Sequence, residues 1–274
     1  MIDYEFRLIT PTIRKAVLLR SSSEKLLISK IPEKHISEKN IKKLNDNYFK
    51  NLPKVNTLIY RSLPINKSKD YFNSIEELEE EFLKLQKRIK QEYNRKIQGF
   101  QFIQLPNPKL VNFKKFYNKL DHKKYFGFEL IPLWHTHAKF PDDYFDYFKF
   151  IEKTGKYLSI EINFGHSDST NSFFNFCSMM KIFPRLKIMM SKLGSGIFLY
   201  NNLMKDYYSL KKNKIILITS APKSLLWLNV LKSKKFNSNF NVQFGTDHPF
   251  NGNSSKTIYK NSIKFRIKRK LPIK

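Results

Sequence analysis

The sequence predicts an α/β fold built as a single (β/α)8 TIM barrel. Three observations carry that prediction. Eight short β-type runs alternate with amphipathic helical stretches along the chain. The length of 274 residues suits one such barrel of about 250 residues. No glycine-rich phosphate loop follows the first strand, which argues against a doubly wound sheet, the alternative architecture.

The elements follow in order. Ile2–Ile9 reads as the first strand, stopped by Thr10-Pro11, and Asn56–Arg61 as the second, closed by Pro64. Between them the sequence supports one short helix around Glu38–Leu44. Ser74–Tyr93 is the clearest helix, with Ser74 as N-cap, Glu77 three residues on, and an apolar stripe of Leu78, Phe82, Leu85 and Ile89. Gly99–Leu105 and Tyr125–Leu133 are the third and fourth strands. A helix over Asp142–Lys153 ends before Gly155, and Tyr157–Phe164 is the fifth strand. Asn171–Ile182 is helical up to Pro184. Leu186–Ser191, Lys214–Ser220 and Asn241–Phe244 complete the strands, with helices expected over Ile197–Tyr207 and Pro222–Lys232.

Composition bounds the function. At 41% apolar and 15% aromatic residues the chain can bury a substantial core. Its one cysteine, Cys177, excludes an internal disulfide and a cysteine-based zinc cluster, and fits a reducing, cytoplasmic setting. Cys177 sits among Phe and Met and is expected as a buried thiol. No signal peptide and no apolar run near the ~20 residues of a membrane span are present, so no membrane partner is expected. The net charge of +28 comes from 42 lysines and 9 arginines, a mix that resembles the codon bias of an AT-rich genome. The reading that competes with a plain basic surface is an anionic partner. The charge is fairly spread, which favours the plain basic surface, with the exception of residues 256–274, which hold eight basic residues and no acid. Residues 1–255 are therefore taken as the barrel and 256–274 as a basic, flexible tail.

In a barrel of this kind functional groups stand at the C-terminal ends of the strands. There the chain presents Phe244-Gly245-Thr246-Asp247-His248-Pro249-Phe250, a strand end that delivers one carboxylate. Phe183-Pro184-Arg185-Leu186-Lys187-Ile188, with Leu193-Gly194 beyond it, Leu158–Gly165 and the opening Ile2-Asp3-Tyr4 add three more segments in strand order. These four segments resemble the amidohydrolase-related metal-dependent hydrolases, a family that includes aminocarboxymuconate-semialdehyde decarboxylase. The resemblance implies two metal-ligating histidines in an opening HxH, where this chain has Glu5 and Arg7. It implies a third histidine where Asn163 stands, and a histidine acting on substrate or water where Lys192 stands. Only Asp247 keeps the family's residue type.

That set is poorly suited to a catalytic divalent ion. Such sites use histidine and carboxylate ligands and keep one position open for water. A guanidinium stays protonated and has no lone pair to give. Arg7 and Lys192 place positive charge opposite Glu5 and Asp247, so an internal ion-pair network is expected in the place of the metal, as a polar plug or an anion-binding pocket. Glu129, in mid-strand where the family often has lysine, is expected to point inward and to pair with Arg7 or Lys192. Glu161 raises the same question.

Glu5, Arg7, Glu129, Asn163, Lys192 and Asp247 are the expected ligand-binding set, with no cofactor. The leading function is a non-catalytic barrel that binds a small anionic ligand or a related protein subunit. One alternative is an enzyme, a hydrolase or decarboxylase acting on a small carboxylate. It would be metal-free, with Lys192 and Asp247 as acid–base groups, or would hold a divalent metal such as zinc at a relocated site of His135, His137, His166 and Asp247. The relocated site assumes that His135 and His137 lie on an extended segment and point the same way. His35 and His122 are expected at the surface. Thr10, Ser220 and Thr246 are candidate hydroxyls at the mouth. Nucleic acid, bound through the basic tail, is the remaining alternative and is not favoured, since the aromatics fall on core-like positions.

Overall fold

The computed structural model describes residues 1–14, 37–62, 68–132, 135, 137–161, 169–191, 215–218 and 241–246. They form an α/β fold around one parallel sheet. The strands are β1 (Ile2–Arg7), β2 (Thr57–Arg61), β3 (Gln98–Gln104), β4 (Gly127–Leu130), β5 (Tyr157–Ile160), β6 (Lys187–Met190), β7 (Ile215–Ile218) and β8 (Asn241–Gln243). They pair in sequential order, each parallel to the next. The sheet curls so that its two edges meet: Tyr4 N donates to Phe244 O at 3.0 Å.

Strand-only residues form one apolar cluster, with Ile2, Tyr4, Ile59, Phe102, Met189, Ile216 and Ile218 at its centre. This is the concave face of the sheet. Helices cover the convex face. Helix α1 (Glu38–Asn51) starts at Ser37, whose Oγ accepts from Asn40 N, and buries Tyr48 and Phe49. Helix α2 (Ser68–Tyr93) buries the expected stripe of Leu78, Phe82, Leu85 and Ile89 against Leu58 and Tyr60 of β2. Helices α3 (Phe113–Lys119), α4 (Phe145–Thr154) and α5 (Ser169–Ile182) cover the rest of the described sheet, with Phe116, Phe148 and Phe176 fully buried.

Several boundaries differ from the sequence reading. Helix α1 runs a full turn and more past Leu44, because Tyr48 and Phe49 extend its buried face. Helix α2 begins at Ser68, so Ser74 is not its N-cap. The Ser74 and Glu77 side chains instead hold the segment after β1: Thr10 Oγ1 and Ser74 Oγ lie 3.4 Å apart, and Glu77 accepts from Thr12 N at 2.9 Å and Thr12 Oγ1 at 2.6 Å. Helix α3 has no counterpart in the sequence reading. Helix α4 ends as expected, on Gly155 at φ +66°, the left-handed cap that glycine adopts without strain. Cys177 is buried, as expected. Among the described residues no helix is long and apolar enough to cross a membrane. The helices expected over 197–207 and 222–232, and the tail 256–274, lie outside the described residues.

Candidate functional site

The site begins with a break in the alternation of β1. Ile2 and Tyr4 face the concave interior, and the register with β2 shifts between Asp3 and Phe6. Phe6 packs on the convex side with Tyr48 and Phe49. The extra residue re-aims the end of the strand, so that Glu5 and Arg7 both point inward above Tyr4.

There Arg7 meets the carboxylate of Glu129 from β4. Its Nη1 donates to Glu129 Oε2 at 2.9 Å and its Nη2 to Oε1 at 3.3 Å. Nη2 also donates to Glu5 Oε1 at 3.1 Å and lies 3.7 Å from Glu161 Oε2, just past β5. A second guanidinium, Arg61 at the end of β2, completes the cluster. Arg61 Nη1 donates to Glu129 Oε1 at 2.6 Å and to Ser159 Oγ at 2.8 Å, and its Nη2 donates to Tyr4 O at 2.6 Å. Its guanidinium lies 4.8 Å from the centroid of the Phe102 ring. Gln104 Nε2 donates to Glu129 Oε2 and to Ser62 O.

These groups are almost dry. Glu5, Arg61 and Glu129 are fully buried and Arg7 is 3% exposed. Burial alone would raise the pKa of Glu129. The two guanidiniums beside it, and their hydrogen bonds, outweigh burial and hold it below the ordinary carboxylate value. Glu129 is thus an ionised carboxylate gripped by Arg7 and Arg61 in a fork geometry.

Below this cluster a second carboxylate fastens the seam of the sheet. Asp3 Oδ1 accepts from Glu5 N at 3.0 Å and Thr246 N at 3.1 Å. Its Oδ2 accepts from Tyr48 OH at 2.5 Å and Thr246 Oγ1 at 2.6 Å. One side chain therefore ties β1 to helix α1 and to the segment after β8. Desolvation outweighs these four donors and pushes the Asp3 pKa up to about 6. Gly245 makes the seam possible: a Cβ there would stand 2.2 Å from Ile218 Cγ2 and 3.2 Å from Glu5 Cβ.

The structure brings together Glu5, Arg7 and Glu129 from the expected set, and adds Glu161. Asn163, Lys192 and Asp247 lie outside the described residues, as does His166. Arg61, Gln104 and Ser159 were missed. The available signal was a charged residue closing the second strand, which reads equally well as a strand end facing solvent. Of the mouth hydroxyls, Thr10 Oγ1 accepts from Ile13 N and Thr246 Oγ1 donates to Asp3, so both serve the scaffold; Ser220 lies outside the described residues.

His135 and His137 do not share an extended segment. His137 sits in a turn at φ +63° and is exposed, while His135 is buried. His135 Nδ1 hydrogen-bonds Tyr144 OH, and burial lowers its pKa to about 4. The expectation that the pair points one way fails because the chain turns between them. His122 lies at the surface as expected, partly sheltered by Phe116, Tyr117 and Phe150. Among the described residues no group of three or more His, Cys, Asp or Glu side chains is arranged to hold a metal.

Comparison with solved structures shows the same α/β fold in several proteins. A 5-carboxyvanillate decarboxylase from Novosphingobium aromaticivorans, complexed with manganese and a nitrobenzoic acid, superposes with a TM-score of 0.65 at 10% identity, over 98% of this chain and 93% of that one. A 4-oxalomesaconate hydratase from Rhodopseudomonas palustris gives 0.59 at 14% identity, over 97% and 95%. An uncharacterised TIM-barrel protein from Bordetella bronchiseptica gives 0.54 at 12%, over 100% and 92%. No family model matches the sequence, and no curated protein matches it either.

Proposed function

We propose that the chain is a closed (β/α)8 barrel in which an arginine–glutamate network stands where amidohydrolase-related enzymes hold their metal, and that it binds a ligand or a partner rather than catalysing a reaction. The observation that carries this reading is Arg7, wedged between Glu5 and Glu129 by three hydrogen bonds. The donor set does not fit a divalent ion. Arg7 offers no lone pair, and its charge lies within hydrogen-bond distance of the two carboxylates that an ion would need.

The ligand in this reading is a small anion or a related protein subunit. Both buried guanidiniums are engaged by carboxylates, two cations against Glu5, Glu129 and Glu161. In this reading Lys192 is the cation proposed to hold an anionic group, together with Asn163 and Asp247 of the expected set. The test is a thermal-shift screen of small carboxylates and phosphates on the full chain, repeated with Lys192→Gln. Stabilisation that Lys192→Gln abolishes supports the reading. Turnover of a carboxylate substrate that depends on added metal overturns it.

A second reading is a hydrolase or decarboxylase with a rebuilt divalent site. It is favoured by the manganese bound in the decarboxylase structures of the same fold. Its ligands would be drawn from His166 and Asp247, since His135 is held by Tyr144 and His137 turns away.

A further inference from the structure

One described surface sets an exposed aromatic ring among lysines. Helix α3 and the turn after it, His122–Lys124, carry Lys114, Lys115, Lys119 and Lys123, all exposed and none with a carboxylate partner among the described residues. Neighbouring lysines differ: Lys109 is paired with Asp143 and Lys124 with Glu79. The one acid within the run, Asp121, accepts from Lys123 N. Amid these lysines stands Tyr117, 50% exposed.

The ring of Tyr117 is held in place. It stacks on His122 with centroids 4.9 Å apart and planes at 29°, and Phe150 meets it edge-on at 5.6 Å. His122 is fixed in turn, its Nε2 2.7 Å from Tyr117 O. Phe113 flanks the ring as well, with centroids 5.9 Å apart, and the residue is left half exposed. On the far side of the helix Lys115 and Lys119 lie over the Phe72 ring, with Nζ at 5.9 and 4.9 Å from its centroid. At 100° per residue Lys114 falls between the two flanks. The exposed ridge of α3 thus runs from a half-exposed tyrosine ring, across one lysine, to two more.

We infer that this ridge is a docking surface for single-stranded nucleic acid, with a base stacked on Tyr117 and phosphates along Lys114, Lys115 and Lys119. Charge complementarity selects a polyanion, and the fixed, half-exposed ring selects one that carries flat aromatic groups. An anionic membrane fits less well: besides Tyr117 the surface offers only Leu110, at 46% exposure, to enter a bilayer. This surface is distinct from the interior site, and its residues are separate in sequence from 256–274.

The test is fluorescence anisotropy of a labelled oligouridylate with the full chain, between roughly 50 and 200 mM salt. Tyr117→Ala is expected to weaken binding by roughly 5- to 100-fold, and Tyr117→Phe to keep it. Replacing Lys114, Lys115 and Lys119 by Gln is expected to lower the salt slope by about 2, at about 0.7 per phosphate contact. Thermal melts of each variant confirm that it folds. Binding that ignores Tyr117→Ala, or that is lost only when the basic residues of 256–274 are neutralised, overturns the inference. So does Tyr117-dependent binding to phosphatidylserine vesicles with none to the oligonucleotide.

Discussion

Arg7 and Glu129 stand 122 positions apart and meet in a two-pronged ion pair, Nη1–Oε2 at 2.9 Å and Nη2–Oε1 at 3.3 Å, in a fully buried setting. Arg61 grips the same carboxylate at 2.6 Å. Taking three charges out of water is costly, and only their mutual contacts offset it. Glu129→Gln leaves two guanidiniums buried beside a neutral amide. It should destabilise the fold by about 3–5 kcal/mol, read as a lower midpoint in urea denaturation. A near-neutral result would show that the cluster is wet or rearranged.

The same network should behave as a unit. Arg7→Met alone removes the guanidinium that Glu5 and Glu129 share, whereas Arg7→Met with Glu129→Leu removes both members of the Arg7–Glu129 pair. The double variant is expected to lose less than the sum of the single losses, with a coupling of about 0.5–3 kcal/mol from a double-mutant cycle. Additive losses would contradict a direct pair.

Gly245 is required by the seam. Its missing Cβ leaves room for Ile218 Cγ2 and Glu5 Cβ. Gly245→Ala should cost about 1–3 kcal/mol in chemical denaturation, because side chains on both sides must shift. Unchanged stability would mean that β1 and the segment after β8 are not in contact.

Asp3 should make the fold less stable as pH rises. Its pKa is about 6 when folded against an ordinary value of 3.8, so between these values the folded state holds a proton that the unfolded chain has lost. The contribution is fully present below 3.8 and is lost as pH rises through 6, up to about 3 kcal/mol. Asp3→Asn removes this term. Its stability relative to the parent should therefore rise between pH 4 and 6, and an unchanged difference would refute the shift.

His135 acts in the opposite sense. Folded, its pKa is about 4 against an ordinary 6.5, so the unfolded chain takes up the extra proton. Its contribution is fully present above 6.5 and is lost as pH falls through 4, again by up to about 3 kcal/mol. Asp3 and His135 thus oppose each other across the same interval, and the parent should show a shallow stability profile there. His135→Asn should unmask a profile that climbs on acidification from pH 6 towards 4.5, below which protonation of Glu129 in the unfolded chain reverses it. A profile still flat in His135→Asn would contradict the account.

The strand order and the buried stripe of α2 were legible because their periods, two and 3.6, are local properties of the chain. Glu129 was legible because a carboxylate in mid-strand demands a cation. Arg61 was not, since a charged strand end is ordinary until the sheet curls and places it beside Glu129. The start of α2 was misread because Ser74 and Glu77 match a capping pair, yet both side chains serve a contact with Thr10 and Thr12 more than 60 positions away. His135 is buried with its Nδ1 on Tyr144 OH, a contact with no local pattern in the sequence, while His137 stands exposed.

The most direct test of the central claim is metal content by elemental analysis of the full, untagged chain purified without chelator, together with its melting temperature before and after chelator treatment. Substoichiometric metal and an unchanged melt are the expected result, since Arg7 and Arg61 already hydrogen-bond the carboxylates of Glu5 and Glu129. Near-stoichiometric zinc, iron or manganese, with a melt that falls on chelation, would contradict it.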